Sequence, residues 1–101
     1  MAVVKSAEMI IEKKDNTLII TLDEDCTIIN VEADYDKIRG CALETDGIEV
    51  IAVQVQEMDT AYFQLLLSIR ATAVKNNISF RISNTAGPVR EIEAVYGIFL
   101  N

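Results

Sequence analysis

The chain has 101 residues, half of them hydrophobic and a quarter charged, with one proline, four glycines and a formal net charge of −7. That length and composition suit one globular domain over 1–101, too small to enclose a large ligand. An acidic surface repels phosphate backbones and anionic headgroups, and Lys13-Lys14 is the only adjacent basic pair, so nucleic acid is excluded as a partner class. No run approaches the roughly 18–20 apolar residues of a membrane span, which argues against direct membrane insertion. Met1 to Ile10 lacks an apolar signal core, so the cytoplasm is the expected compartment.

In chain order, Ala7 to Lys13 is expected to pair as a hairpin with the β-rich run Thr17–Leu22 across Lys14-Asp15-Asn16. Thr27 then caps a helix reaching about Leu43, whose apolar stripe is Ile28, Val31, Tyr35, Ile38 and Ala42. After the Asp46-Gly47 turn, Ile48–Val55 is nearly continuous in β-branched residues, the signature of a central strand covered on both faces. Asp59 or Thr60 caps the next helix, Ala61 to about Lys75, which is apolar on the stripes Tyr62-Leu66-Ile69-Ala73 and Phe63-Leu67-Val74 and ends at Asn76-Asn77. Ile78–Ser83 alternates as a strand, with Ile78, Phe80 and Ile82 on one face. Pro88 opens a last helix with Val89, Ile92 and Val95 on its apolar side, and Gly97 ends it. The order β-β-α-β-α-β-α defines an α/β fold, a mixed sheet packed against helices with right-handed crossovers. No internal repeat, low-complexity segment or linker interrupts it.

Most site chemistries fail on the residues. The chain has no histidine, which removes the commonest general base, triad partner and metal ligand. A calcium loop starting at Asp23 would place Ile28 where glycine is required and Asp34 where glutamate is required. Cys26 and Cys41 cannot complete a zinc site. With a helix between them they lie roughly 20 Å apart, too far for a disulfide, so both are expected to be free thiols. The four glycines are scattered, so no phosphate loop forms. These readings point to a protein that is not an enzyme and holds no metal or cofactor.

Asp59-Thr60-Ala61 lies between the strongest strand and the following helix. A hydroxyl there sits beside a helix N-terminus, as a cap or as a phosphoacceptor whose modification would add about −1.5 to −2 charges next to Glu57 and Asp59.

The segment Met58-Asp59-Thr60-Ala61-Tyr62-Phe63-Gln64-Leu65-Leu66-Leu67, within this element order, resembles the STAS domain. The hallmark of that family is an Asp-Ser-Ser-Gly-Leu or Asp-Thr-Ala-Gly-Leu loop at the start of its second helix. Leu22–Ile28 is similar to the loop and first helical turn of the chemotaxis-associated variants, and Asn84 through Val89 to Ile98 resembles the last strand-to-helix segment. The resemblance implies a protein-binding signalling module like the anti-sigma-factor antagonists. Thr60 matches the phosphorylated position and Asp59 the preceding acid. It further implies that Asp25, Asp59, Ala61, Tyr62 and Phe63 contribute to the partner surface, and that the partner is an anti-sigma factor with serine kinase activity or a component of a signalling complex. Tyr62 replaces the family's small residue and Ala61 its second serine. A ring at Tyr62 would alter what a kinase reads, and one of Tyr62 and Phe63 is expected to face outward. The altered loop also suits a non-switching subunit of a chemotaxis or lipid-transport assembly.

Overall fold

The computed structural model describes residues 9–41, 44–83 and 87–101. The hairpin pairs β1 (Ile10–Lys14) with β2 (Thr17–Thr21) in antiparallel register, Lys14 opposite Thr17. Asp15 and Asn16 both have positive φ, 51° and 62°, the handedness that a two-residue hairpin turn of type I′ requires and that Asp and Asn tolerate. β4 (Gly47–Ile51) adds parallel to β2, and β6 (Ser79–Ser83) parallel to β4, giving the sheet order β1-β2-β4-β6. The expected α/β architecture and element order are therefore present. They are supplemented by two short strands, β3 (Asp25–Cys26) and β5 (Glu57–Met58), paired parallel to each other. No helix among the described residues is long and apolar enough to cross a membrane.

The sheet register places Leu18, Ile20, Ile48, Val50, Phe80 and Ile82 on one face. That face builds the core with α2 (Thr60–Lys75), whose Tyr62, Leu66, Ile69 and Ala73 are buried as their spacing predicts. The second stripe breaks at Val74, which is exposed. α2 ends at Asn76, and Asn77 takes the left-handed conformation, φ 59°. Several expectations are corrected. The central strand stops at Ile51 rather than Val55, because Ala52 to Gln56 turn toward the neighbouring loop. Its opposite face is not covered: Glu49 and Ile51 there are only partly buried.

The first helix, α1 (Ile28–Arg39), is rotated relative to its predicted stripe. Ile28 and Tyr35 are exposed, while Asp34 and Ile38 are buried. The helix also ends at Arg39, with Gly40 as its C-cap, rather than near Leu43. Ala42 of its expected stripe, Ala7 at the start of the predicted first strand and Asn84 in the last strand-to-helix segment lie outside the described residues. The last helix, α3 (Gly87–Tyr96), buries Val89 and Ile92 but exposes Val95. Gly97 follows with φ 66°, the left-handed termination that glycine supplies without strain. Cys26 and Cys41 are free thiols, as the separation argument requires.

Candidate functional site

The site is assembled where the loop after β2 and the loop after β4 meet. The β3–β5 ladder sets Asp25 opposite Glu57 and Cys26 opposite Met58. The amides of Gln56 and Glu57 both donate to the Glu24 carbonyl, at 2.9 and 3.1 Å, and the Asp59 amide donates to the Cys26 carbonyl at 3.1 Å. The two loops that open α1 and α2 are thus fastened together, and both helices start at one corner.

One carboxylate serves both starts. Asp59 Oδ1 accepts from the Tyr62 amide at 2.9 Å, the N-cap bond of α2, and Oδ2 accepts from the Ile28 amide at 2.8 Å, at the first residue of α1. One acid between two helix starts thus satisfies amide donors that neither helix can pair internally. Thr27, the predicted cap of α1, makes no side-chain cap bond; its hydroxyl donates instead to Asp25 Oδ1 at 2.7 Å. Asp25 and Asp59 both lie at this corner, each half-buried and each bonded within it.

Thr60, the first residue of α2, is exposed, and its hydroxyl lies 2.6 Å from the Tyr96 hydroxyl at the end of α3. The Tyr96 ring in turn stacks on Phe63, centroids 6.0 Å apart with 16° between planes. Together with Gln64, Leu67 and Ile98 these residues line a shallow slot of about 80 Å³.

Tyr62 and Phe63 require a correction as partner-surface residues. Both are buried, at 0% and 1% exposure, so neither ring faces outward; only Ala61 between them and Thr60 is partly accessible. Tyr62 points between the helices, where its hydroxyl donates to Asp34 Oδ2 at 2.6 Å and also reaches Met9 Sδ at 3.9 Å. This partner explains why α1 turns a carboxylate inward: an ionised acid in the core is tolerated only with a donor to hold it. Burial raises the Asp34 pKa above the ordinary carboxylate value, and the bond from Tyr62 offsets only part of that rise. Burial also pushes the Tyr62 phenol up, with Asp34 as the next cause. The Cys26 thiol is pushed up to about 12 by burial and then by the charges of Asp34 and Asp23, so it stays protonated and unreactive at neutral pH.

What the corner presents to solvent is Ile28 and Ile29, at 68% and 81% exposure, next to Asp59 and Thr60, with Val95 and Tyr96 on the α3 side. A groove of about 330 Å³ runs beside it, lined by Gln56, Glu57, Met58, Glu91, Ile92 and Val95 among others. The charges on its rim are acidic: neither loop, 22–27 or 52–59, contains a lysine or arginine. The larger depression, about 630 Å³, lies on the open face of the sheet and contains Glu49 and Arg81. There the charges satisfy one another, Arg81 at 3.1 Å from Glu49 and the Ser83 hydroxyl donating to the same carboxylate at 3.0 Å.

Sequence reasoning missed Asp34 and Tyr96. Asp34 had a signal, since Val31, Asp34 and Ile38 share a face at helical spacing as well as Val31, Tyr35 and Ile38 do. Tyr96 had none, because its partner Thr60 is 36 residues away.

No family model matches the chain, and no curated protein matches it. Among solved structures, the NMR structure of the protein TM1081 superimposes with a TM-score of 0.76, covering 97% of this chain and 80% of that one at 10% sequence identity. A likeness at that identity shows the fold alone.

Proposed function

We propose that this chain is a STAS-like signalling adaptor that binds a protein partner through the corner where α1 and α2 begin, with Thr60 as its phosphoacceptor. The observation that carries this reading is the exposed Thr60 hydroxyl beside an exposed apolar pair, Ile28 and Ile29, and an acidic rim. Exposed apolar residues inside a polar rim are the anatomy of a binding surface. The partner that fits has apolar anchors flanked by basic residues, the chemistry of an anti-sigma factor's docking face or of a signalling-complex component. A phosphate on Thr60 would add about two negative charges to a surface that is already acidic and would displace a docked apolar group by desolvation. Burial of Tyr62 supports this reading, because the bulky residue in the family's small position leaves the acceptor uncovered. The adaptor acts by binding rather than by catalysis, in the cytoplasm.

A second reading, a non-switching subunit of a chemotaxis or lipid-transport assembly, is favoured by the bond between Thr60 and Tyr96, which occupies the hydroxyl. Affinity capture from source cells with wild type and Thr60→Glu as paired baits separates the two. The switch predicts a partner held by wild type and lost by Thr60→Glu. The same partners on both baits would sink the switch and leave the constitutive subunit.

A further inference from the structure

The Thr60 hydroxyl is held by a residue from the far end of the chain. Tyr96 donates to it or accepts from it at 2.6 Å while its ring stacks on Phe63, which is 1% exposed with that ring in place. Tyr96 is the last residue of α3, and Gly97 directly after it has φ 66°, with nothing within 4 Å of where a Cβ would stand. Beyond this turn the Ile98 amide donates to the Glu93 carbonyl at 3.2 Å, and Ile98 lines the slot over Thr60, Phe63 and Leu67. Further on, the hold is firm. The Leu100 amide donates to Glu93 Oε2 at 2.8 Å with its side chain buried, and the Asn101 amide group bonds both the N–H and the carbonyl of Ile82 on β6. The turn Tyr96 to Ile98 thus lies between two anchored segments and touches the acceptor oxygen.

We propose that Tyr96 is the residue that reads the state of Thr60: the hydroxyl pair latches Tyr96 over Phe63, and phosphorylation releases the latch and opens the slot. The inference rests on Thr60 being the phosphoacceptor. In the modification, Thr60 Oγ takes the γ-phosphoryl group of ATP held by a partner kinase. The Oγ–P bond forms, the bond from the γ-phosphorus to the bridging oxygen of ADP breaks, ADP leaves, and the hydroxyl proton passes to the kinase's base. The phosphate oxygens carried on Thr60 Oγ need the space that the Tyr96 hydroxyl occupies, 2.6 Å from that oxygen. Tyr96 then leaves the Phe63 ring, turning about Gly97, while Leu100 and Asn101 stay anchored. Phosphorylation therefore changes the shape of the surface as well as its charge, uncovering Phe63 and Leu67.

The test uses the full chain carrying phosphothreonine installed at position 60 during synthesis, which requires no cognate kinase. Ring-to-ring nuclear Overhauser contacts between Tyr96 and Phe63 and amide hydrogen exchange at 96–98 are compared with those of the unmodified protein. The latch predicts loss of the ring contacts and exchange at Ile98 faster by about threefold to tenfold, the size expected for one lost hydrogen bond, with the Leu100 amide unchanged. Thr60→Val and Tyr96→Phe should each reproduce a smaller increase at the same amides, and the double variant should add nothing further. Retained ring contacts and unchanged exchange in the phosphorylated chain, or additive effects of the two substitutions, would overturn the latch. Failure to find phosphate on Thr60 in cells bears instead on the proposed function and leaves this measurement intact.

Discussion

α1 and α2 begin at the same corner and resolve their first turns in opposite ways. α2 starts with its own cap, Asp59, and turns two aromatic rings, Tyr62 and Phe63, into the core. α1 starts with a threonine that does not cap, borrows its first acceptor from Asp59, 31 residues away, and leaves Ile28 and Ile29 in solvent. The difference shows what a local reading can reach. A cap and an apolar stripe are properties of one segment, and α2 obeys them. The rotation of α1 is set by a neighbour: Tyr62 offers a hydroxyl to Asp34, and the β3–β5 ladder fixes where the helix begins. With Asp34 turned inward, Ile28 and Ile29 are left facing out.

The largest effect that separates the two helices is expected at Phe63. Phe63→Ala should cost about 3–5 kcal/mol, as for a buried aromatic, read as a lower urea midpoint.

Next comes the buried bond between the helices. Tyr62→Phe leaves the Asp34 carboxylate without its donor and should cost about 1.5–3 kcal/mol near neutral pH. That cost should shrink toward acid as Asp34 protonates. Because its pKa is raised in the folded protein, the stability linked to protonated Asp34 is fully present below the ordinary carboxylate pKa and is lost as pH rises through the folded value. Asp34→Asn should therefore gain stability relative to wild type as pH rises from about 4 to 7. Paired urea titrations at the two pH values give the sign, and a constant difference would mean that Asp34 is not held as described.

Asp59→Ala removes the acceptor of both helices and should cost about 2 kcal/mol, two caps at roughly 1 kcal/mol each. Asp59→Asn keeps a single acceptor oxygen and should cost about half as much. Thr27→Ala should cost about 1 kcal/mol, half the cost of Asp59→Ala, since its buried hydroxyl bonds Asp25 and no helical amide. Equal effects of Thr27→Ala and Asp59→Ala on the urea midpoint would break the comparison.

The smallest effect on stability, within about 0.5 kcal/mol, is expected for Ile28→Ser with Ile29→Ser, because both side chains are already in water. The same double substitution should abolish partner capture, which separates binding from folding at this corner.

Much of the fold was legible in the residues, and the reasons are local. Asp15-Asn16 accept left-handed backbone, the α2 stripe from Tyr62 to Ala73 has helical spacing, and Gly97 stops α3. The candidate site was legible only where chemistry sat in one segment, at Asp59-Thr60. What escaped were contacts made across the chain: Asp59 to Ile28, Tyr62 to Asp34 and Thr60 to Tyr96. None of these pairs lies within one helix or hairpin, so no periodicity encodes them. Both rings of Tyr62-Phe63 are buried because one is covered between the helices and the other by Tyr96, a cover that spacing within α2 could not reveal.

The central claim is that the Thr60 hydroxyl is the switch on a partner-binding corner. Its most direct test is intact-mass analysis, with site mapping, of the protein after incubation with source-cell lysate and ATP. The account predicts a single added phosphate carried on Thr60 and absent from Thr60→Val. A chain that gains no phosphate, or carries it on another residue with Thr60 untouched, would contradict it.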